Sequence, residues 1–206
     1  MSDPEFNERH MALKALQSRR LHETYRDFSE QRMYRTTCDY FFGEVYNTDD
    51  TEARDEAFRR FTDHISKVLG GDIVRCLKRM IRLQTLTLQL DKACTHALLE
   101  LDAPVDFDMA LYERAYREMG RFSEREEQIA LTLECLTLAH KIFRRFGIGA
   151  GLFALHEFQR VRGDDLITGF LWRGYQAIHK LRRIDPLALA VREREEARLA
   201  RIFADG

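Results

Sequence analysis

Proline and long apolar runs are both scarce in this sequence. Only three prolines and eleven glycines occur among 206 residues, which leaves most of the chain free to form long helices, because both residues weaken helix interiors. No stretch approaches the ~18 consecutive apolar residues that a membrane-spanning helix needs. The amino terminus also lacks the apolar segment of a signal peptide. We therefore predict a helical protein that does not span a membrane.

Motifs for disulfides and metal ions are missing as well. The four cysteines, Cys38, Cys76, Cys94 and Cys135, form no Cys-x-x-Cys pair, so we expect reduced, mostly buried thiols in a cytoplasmic protein. No Glu-x-x-His or His-x-x-x-His spacing occurs, which argues against di-iron carboxylate and structural zinc sites. The sequence predicts no metal site and identifies no cofactor.

The net charge is close to zero, at −1, and gives no strong signal for nucleic acid. Its distribution is uneven, because basic residues dominate between Lys141 and Arg183 and acidic ones between Glu44 and Asp63. The basic stretch predicts a face for a partner, which would be an acidic protein, nucleic acid or an anionic membrane surface. The candidate residues of this face are Arg144, Arg145, Lys180, Arg182 and Arg183. The alternative is an ordinary set of solvated helix faces.

One long segment dominates the hydrophobic pattern. The stretch from Asp72 to Leu101 contains no glycine or proline, and Leu83 to Leu90 carries no charge. Leu86, Leu88 and Leu90 alternate as a strand would, but a run of about thirty residues favours a helix, since strands are typically 4–8 residues long. We predict a central helix over about 72–101, enclosed by other helices.

The rest of the chain predicts a single-domain, all-α bundle of about seven or eight helices around that central helix. Residues 1–24 form an N-terminal extension and the start of the first helix, and 25–206 form one domain. Met1 to Phe6 resembles a vector remnant and is left out of the fold prediction. The flanking helices are predicted at about Asn7–Ser29, Gln31–Tyr46, Thr51–Leu69, Asp106 or Asp108–Met119, Ser123–Phe146, Leu152–Arg160, Leu166–Leu181 and Pro186–Phe203. A capping box with Ser123 as N-cap starts one of them, and Gly147, Gly149 and Gly151 interrupt the chain after it.

Several short blocks follow one another in a familiar order, and the chain resembles the bacterial FFLEELY-motif family. The blocks are Tyr40-Phe41-Phe42-Gly43-Glu44-Val45-Tyr46, Arg54-Asp55, Leu86-Thr87-Leu88-Gln89-Leu90-Asp91, Tyr116 to Arg121, Arg125-Glu126-Glu127-Gln128-Ile129 and Phe170 to Tyr175. Gly43 and Asn47 depart from the motif, as does Trp172, which stands where an acidic residue is commoner. The resemblance implies an all-helical domain without an established activity.

Two carboxylates occur on apolar helix faces, at Glu44 and Asp91. A buried carboxylate must be paired, hydrogen-bonded or protonated, and the candidate partners are Arg54, Tyr116, Arg125 and Gln128. The functional interpretation is a polar pocket inside the bundle, formed by Phe41, Phe42, Glu44, Tyr46, Asp91, Tyr116, Arg125 and Gln128. The alternative is a structural network of ion pairs that fixes helix register.

Two histidines could serve as axial ligands of a haem or another tetrapyrrole. His140 and His156 lie on apolar helix faces, and an axial ligand requires no sequence spacing. Trp172 joins them as a candidate ligand-binding residue because it is the only tryptophan. The alternative is that both histidines are hydrogen-bonded residues at the edge of the core.

These patterns favour a non-catalytic cytoplasmic protein that acts by binding a protein partner or a hydrophobic small molecule. The motivation is the absence of catalytic motifs together with the aromatic density around Tyr40 to Tyr46. The alternative is a helical protein that binds haem, another tetrapyrrole or another cofactor in a pocket of the bundle core. Such a protein could also be a cofactor-dependent enzyme. A third possibility is a homodimer that buries an exposed apolar stripe.

Overall fold

The computed structural model describes residues 3–45, 60–61, 71–163 and 165–204, without the side chains of residues 44 and 45. Over these ranges the chain is helical and contains no strand, so the all-α prediction is confirmed. The helices are α1 (Pro4–Thr24), α2 (Arg26–Ser29), α3 (Arg35–Asp39), a π-helical turn (Tyr40–Val45), α4 (Gly71–Glu100), α5 (Met109–Glu118), α6 (Phe122–Phe143), α7 (Ile148–Val161), α8 (Leu166–Ile178) and α9 (Asp185–Ala204). The predicted helix Thr51–Leu69 lies almost entirely outside the described residues.

The central helix α4 has nearly the bounds that the sequence predicts. Leu83, Leu86 and Leu90 are buried, whereas Leu88 is only partly so, which is the helical spacing rather than the alternation of a strand. The helix packs against α1, α5 and α6. The central helix therefore lies next to three other helices of the bundle.

Helix α1 begins earlier than predicted and belongs to the core. Asp3 caps it by accepting a hydrogen bond from the backbone N–H of Glu5 at 3.1 Å, and Pro4 takes the first helical position. This Asp-Pro pair is a strong start signal, so the predicted start at Asn7 is wrong. Leu13 and Leu16 are buried beside α4 and α5.

The aromatic segment does not form the single helix predicted over about 31–46. It folds as the short helix α3 followed by the π-helical turn, and Tyr46 lies outside the described residues. Tyr40 is buried and donates a hydrogen bond to the carbonyl of Phe170 at 3.2 Å. Gly174 of α8 leaves the room for this ring, because a Cβ there would lie 2.7 Å from the Tyr40 hydroxyl. Tertiary packing therefore overrides the local helical pattern.

Three further predicted boundaries are wrong. Helix α6 begins at Phe122 without a side-chain cap, so Ser123 is not its N-cap, and it ends at Phe143 rather than Phe146. Helix α7 starts at Ile148 and includes two of the glycines that were expected to interrupt it. Gly147, at φ +83°, makes the turn, and Gly149 lies so close to Tyr175 that any side chain would clash.

Candidate functional site

A cavity of about 70 Å³ lies between α1, α3, α4, α5, α6, α9 and the π-helical turn. One buried water needs roughly 10–15 Å³ of such space, so the cavity has room for several waters or for one small organic group. Its walls come from both ends of the chain and from the centre. Clefts and cavities between the helices of a bundle are common ligand sites.

The structure brings six of the eight predicted pocket residues to this cavity, namely Phe41, Phe42, Asp91, Tyr116, Arg125 and Gln128. The Glu44 side chain and Tyr46 lie outside the description, as does the candidate partner Arg54. Residues from three helices and from the π-helical turn thus line one cavity. That this space binds a ligand stays a prediction.

The cavity has chemically different ends. Its polar end consists of Gln17, Arg20, Thr87, Asp91, Tyr112, Tyr116, Arg125, Gln128, Thr132, Glu195 and Arg198. Its apolar end consists of Leu21, Tyr25, Cys38, Phe41, Phe42, Ile129, Leu136, Leu187 and Val191. Along α1, Gln17 and Arg20 come before the apolar Leu21, whereas along α9 the polar Glu195 and Arg198 come last. The ion pair between Arg20 and Glu195 places these polar segments side by side, away from the apolar lining residues of the two helices.

Arg125 is the most deeply buried cation of the polar end, with 4 % of its surface exposed. Its Nη1 donates to Gln128 Oε1 at 2.9 Å, and Gln128 Nε2 donates to Thr87 Oγ1 at 2.7 Å. The guanidinium lies over the Tyr116 ring, 4.3 Å from its centroid. The other two nitrogens, Nε and Nη2, are buried without a hydrogen-bond partner among the described residues.

Electrostatics keep Arg125 charged in this setting. Burial lowers the pKa of its guanidinium, but Tyr116, Tyr112 and Asp91 raise it, and the net shift is upward. Burial has the opposite effect on the phenol and raises the pKa of Tyr116 to about 12. The polar end therefore presents a cation stacked on a neutral tyrosine at physiological pH.

Asp91 is buried, with 5 % exposure, and is satisfied by a residue that the sequence analysis did not single out. Gln17 of α1 donates to Asp91 Oδ1 at 3.0 Å. The next carboxylate, Glu195 of α9, accepts from Arg20 at 2.6 Å and from the Tyr25 hydroxyl at 2.9 Å. Each carboxylate of the polar end thus has a protein partner.

The third arginine of the polar end is also paired. Arg198 donates to Glu113 at 3.2 Å, with 13 % and 17 % of the two side chains exposed. Arg20 and Arg198 are therefore matched by Glu195 and Glu113. Arg125 is the cation whose hydrogen bonds within the described residues go to an uncharged amide alone.

The residues missed from sequence, above all those of α9, carry a signal in their spacing. Leu187, Val191, Glu195, Arg198 and Ile202 follow one another at intervals of three or four residues, which places them on one helix face. Because Leu187, Val191 and Ile202 are buried, the two charges between them point inward as well.

The predicted ligand-binding residues lie elsewhere. His140 is partly buried, and its Nε2 is 2.8 Å from the carbonyl of Leu181. His156 is on α7, with a buried Nδ1 that has no partner among the described residues. Trp172 is on α8 and stacks on Tyr175. None of the three lines the described cavity.

The five residues of the predicted basic face are all exposed. Arg144 donates to the carbonyl of Arg182 at 2.9 Å, which brings the two stretches of this face together. Arg145 forms an ion pair with Asp72, and Lys141 shares that carboxylate at 3.1 Å. Part of the positive charge is therefore neutralised within the protein.

Fold and cavity together define an all-α bundle with a cavity between its helices that polar and apolar residues line. The whole chain, residues 1–206, matches the model of a family described as Domain of unknown function (DUF8198), and the chain belongs to that family. No curated protein and no solved structure matches the chain. Across the described ranges, no helix combines the length and apolarity needed to cross a membrane.

Proposed function

We propose that this protein is a non-catalytic binding protein that holds a small amphipathic molecule in the cavity. The observation that carries the proposal is the division of the cavity walls into a polar end and an apolar end. A molecule with one polar group and a short apolar part would match both. Ligand sites typically combine apolar walls with a few fixed polar groups.

The conformational rigidity of the walls supports a pre-formed site. Hydrogen bonds tie Gln17 to Asp91, Arg20 to Glu195 and Gln128 to Thr87, each pair joining two different helices. A site whose side chains are already ordered loses less entropy on binding. The cofactor-binding alternative has less support, since His140 and His156 lie outside the cavity walls.

We also propose a cytoplasmic location. All four cysteines are free and buried among the described residues, and burial raises the pKa of Cys38 and Cys76 to about 12. Such thiols are protonated and unreactive at physiological pH. Free thiols are typical of proteins in reducing compartments.

The proposal is tested by native mass spectrometry after incubation with the deproteinised small-molecule fraction of a cell extract. We expect wild-type protein to retain an added mass. Val191→Phe, which fills the apolar end from α9, should retain none, because the larger ring occupies the ligand's space.

The matched control is Leu189→Phe, which also replaces an aliphatic side chain of α9 by phenylalanine, but at an exposed position. It should bind like the wild type, and circular dichroism should show that both variants remain folded. A wild-type chain that gains no mass would overturn the proposal. Equal masses on wild type and Val191→Phe would overturn it too.

A further inference from the structure

We infer that the ligand of this cavity is a small organic monocarboxylate and that Arg125 binds its carboxylate side-on. The inference rests on the proposed function and adds the chemical class of the ligand. It follows from the hydrogen bonding of the Arg125 guanidinium, in which Nη1 has an acceptor but Nε and Nη2 have none among the described residues.

Nε and Nη2 lie along one edge of a guanidinium, where two parallel N–H groups match the two oxygens of a carboxylate. Two exposed arginines of this protein bind a carboxylate through that edge. Arg82 donates from Nε and Nη2 to the two oxygens of Glu127 at 2.8 and 2.7 Å, and Arg160 does the same with Glu157 at 3.2 and 2.7 Å. In Arg125 the same two nitrogens have no partner among the described residues.

The orientation of the Arg125 edge is fixed by three contacts. Gln128 holds Nη1, Thr87 holds Gln128, and the Tyr116 ring supports the plane of the guanidinium. An arginine held in this way is pre-organised for a planar, bidentate anion. A surface arginine must instead order a long side chain on binding.

The free edge of Arg125 favours an anionic acceptor. Arg20 and Arg198 are paired with Glu195 and Glu113, and Asp91 also attracts Arg125, but none of these carboxylates accepts a hydrogen bond from Nε or Nη2 of Arg125. A carboxylate would supply both missing acceptors and would form stronger hydrogen bonds than a neutral group. The cavity volume of about 70 Å³ limits the rest of the ligand to a short chain or small ring.

The test compares butyrate, butan-1-ol and butylammonium, three probes with the same chain and different head charges, by calorimetric titration of the full chain. Butyrate should bind at least tenfold more tightly than butan-1-ol, and butylammonium most weakly. In wild-type protein, the Nε–H resonance of Arg125 should shift on adding butyrate. Inorganic phosphate should not displace butyrate.

Arg125→Met should weaken butyrate binding about 10- to 100-fold, the factor expected for a charge-assisted hydrogen bond, and should leave butan-1-ol within about threefold. Arg82→Met, which removes the same kind of edge at an exposed site, should leave binding of all three probes unchanged.

Three results would overturn the inference while leaving the proposed function standing. They are equal binding of butyrate and butan-1-ol, full butyrate affinity in Arg125→Met, and tighter binding of phosphate at the Arg125 edge. A chain that binds none of the probes and gains no mass from cell extract would overturn both proposals.

Discussion

At the residue scale, Arg125 stands out because it is buried, charged and only partly hydrogen-bonded. Moving a cation from water into a protein interior costs several kcal/mol unless partners replace the water. Most buried polar groups therefore have partners, and an exception calls for an explanation. A ligand that supplies the missing acceptors is such an explanation, and it implies a cost in the ligand-free protein.

Arg125→Met is accordingly expected to stabilise the ligand-free protein. Removing two buried N–H groups that lack acceptors should raise the free energy of unfolding by about 1–3 kcal/mol. The lost hydrogen bond to Gln128 reduces this gain by roughly 1 kcal/mol, and the lost attraction to Asp91 reduces it further. Urea denaturation followed by circular dichroism measures the change.

Arg20→Met provides the contrast. It leaves Glu195, with 17 % of its side chain exposed, without its cation, and we expect a loss of about 3 kcal/mol. If Arg125→Met were destabilised as strongly as Arg20→Met, Arg125 would be a structural residue rather than a receptor.

At the scale of elements, the π-helical turn depends on the small size of one residue in α8. Tyr40 packs against Phe170, with ring centroids 5.3 Å apart, and passes over Gly174. Phe41 and Phe42, the next two residues, line the apolar end of the cavity. The fit between the turn and α8 therefore sets the position of two cavity walls.

Gly174→Ala should destabilise the protein by about 1–3 kcal/mol, because its methyl group must displace the buried Tyr40 ring. Gly151→Ala is the matched control, since it lies in α7 with open space around it, and a gain of up to about 1 kcal/mol is expected from helix propensity. Thermal unfolding of both variants measures the difference. Equal effects at the two positions would contradict the proposed packing.

At the scale of the whole molecule, charged pairs join helices that are distant in sequence. Arg194 of α9 holds both oxygens of Asp27 in α2, and Arg201 holds both oxygens of Glu113 in α5. The hydrogen bond from Arg201 lowers the pKa of Glu113, and the one from Arg194 lowers the pKa of Asp27. The last helix is thus fastened to two earlier ones by ionised carboxylates.

These lowered pKa values predict a loss of stability in acid. A carboxylate whose pKa is lower in the folded protein stabilises the fold fully above its ordinary pKa, and this contribution disappears as the pH falls through the folded value. The free energy of unfolding should therefore decrease below about pH 4.5, the ordinary pKa of Glu113.

Glu113→Gln should make this decrease shallower, and Arg201→Gln should do the same by removing the other partner. Chemical denaturation between pH 3 and 7 measures the slope. An unchanged slope in both variants would show that this pair does not contribute to acid sensitivity.

Much of the architecture could be predicted because helical periodicity is a local property. The long apolar segment of α4 and the cap at Asp108, which accepts from the N–H of Leu111, both follow from neighbouring residues. The π-helical turn could not, because it depends on Tyr40 meeting Gly174 across the fold.

The candidate site was predictable in part for the same reason. Asp91 and Arg125 are unusual on their own helices and attract attention in the sequence. Gln17 and Glu195 look ordinary among the many polar residues of α1 and α9, and only the fold brings them inside. The resemblance to the FFLEELY-motif family stays a prediction.

The cavity is assembled from contacts between opposite ends of the chain, and this has a kinetic consequence. The ion pair between Arg20 and Glu195 spans 175 residues, so its formation requires the closure of a very long loop, which is slow compared with helix formation. During synthesis, α1 is made long before α9. Its polar cavity residues Gln17 and Arg20 therefore cannot be covered by α9 until that helix has emerged and docked. The cavity is thus completed late in folding, and a ligand of the proposed kind would stabilise the docked α9.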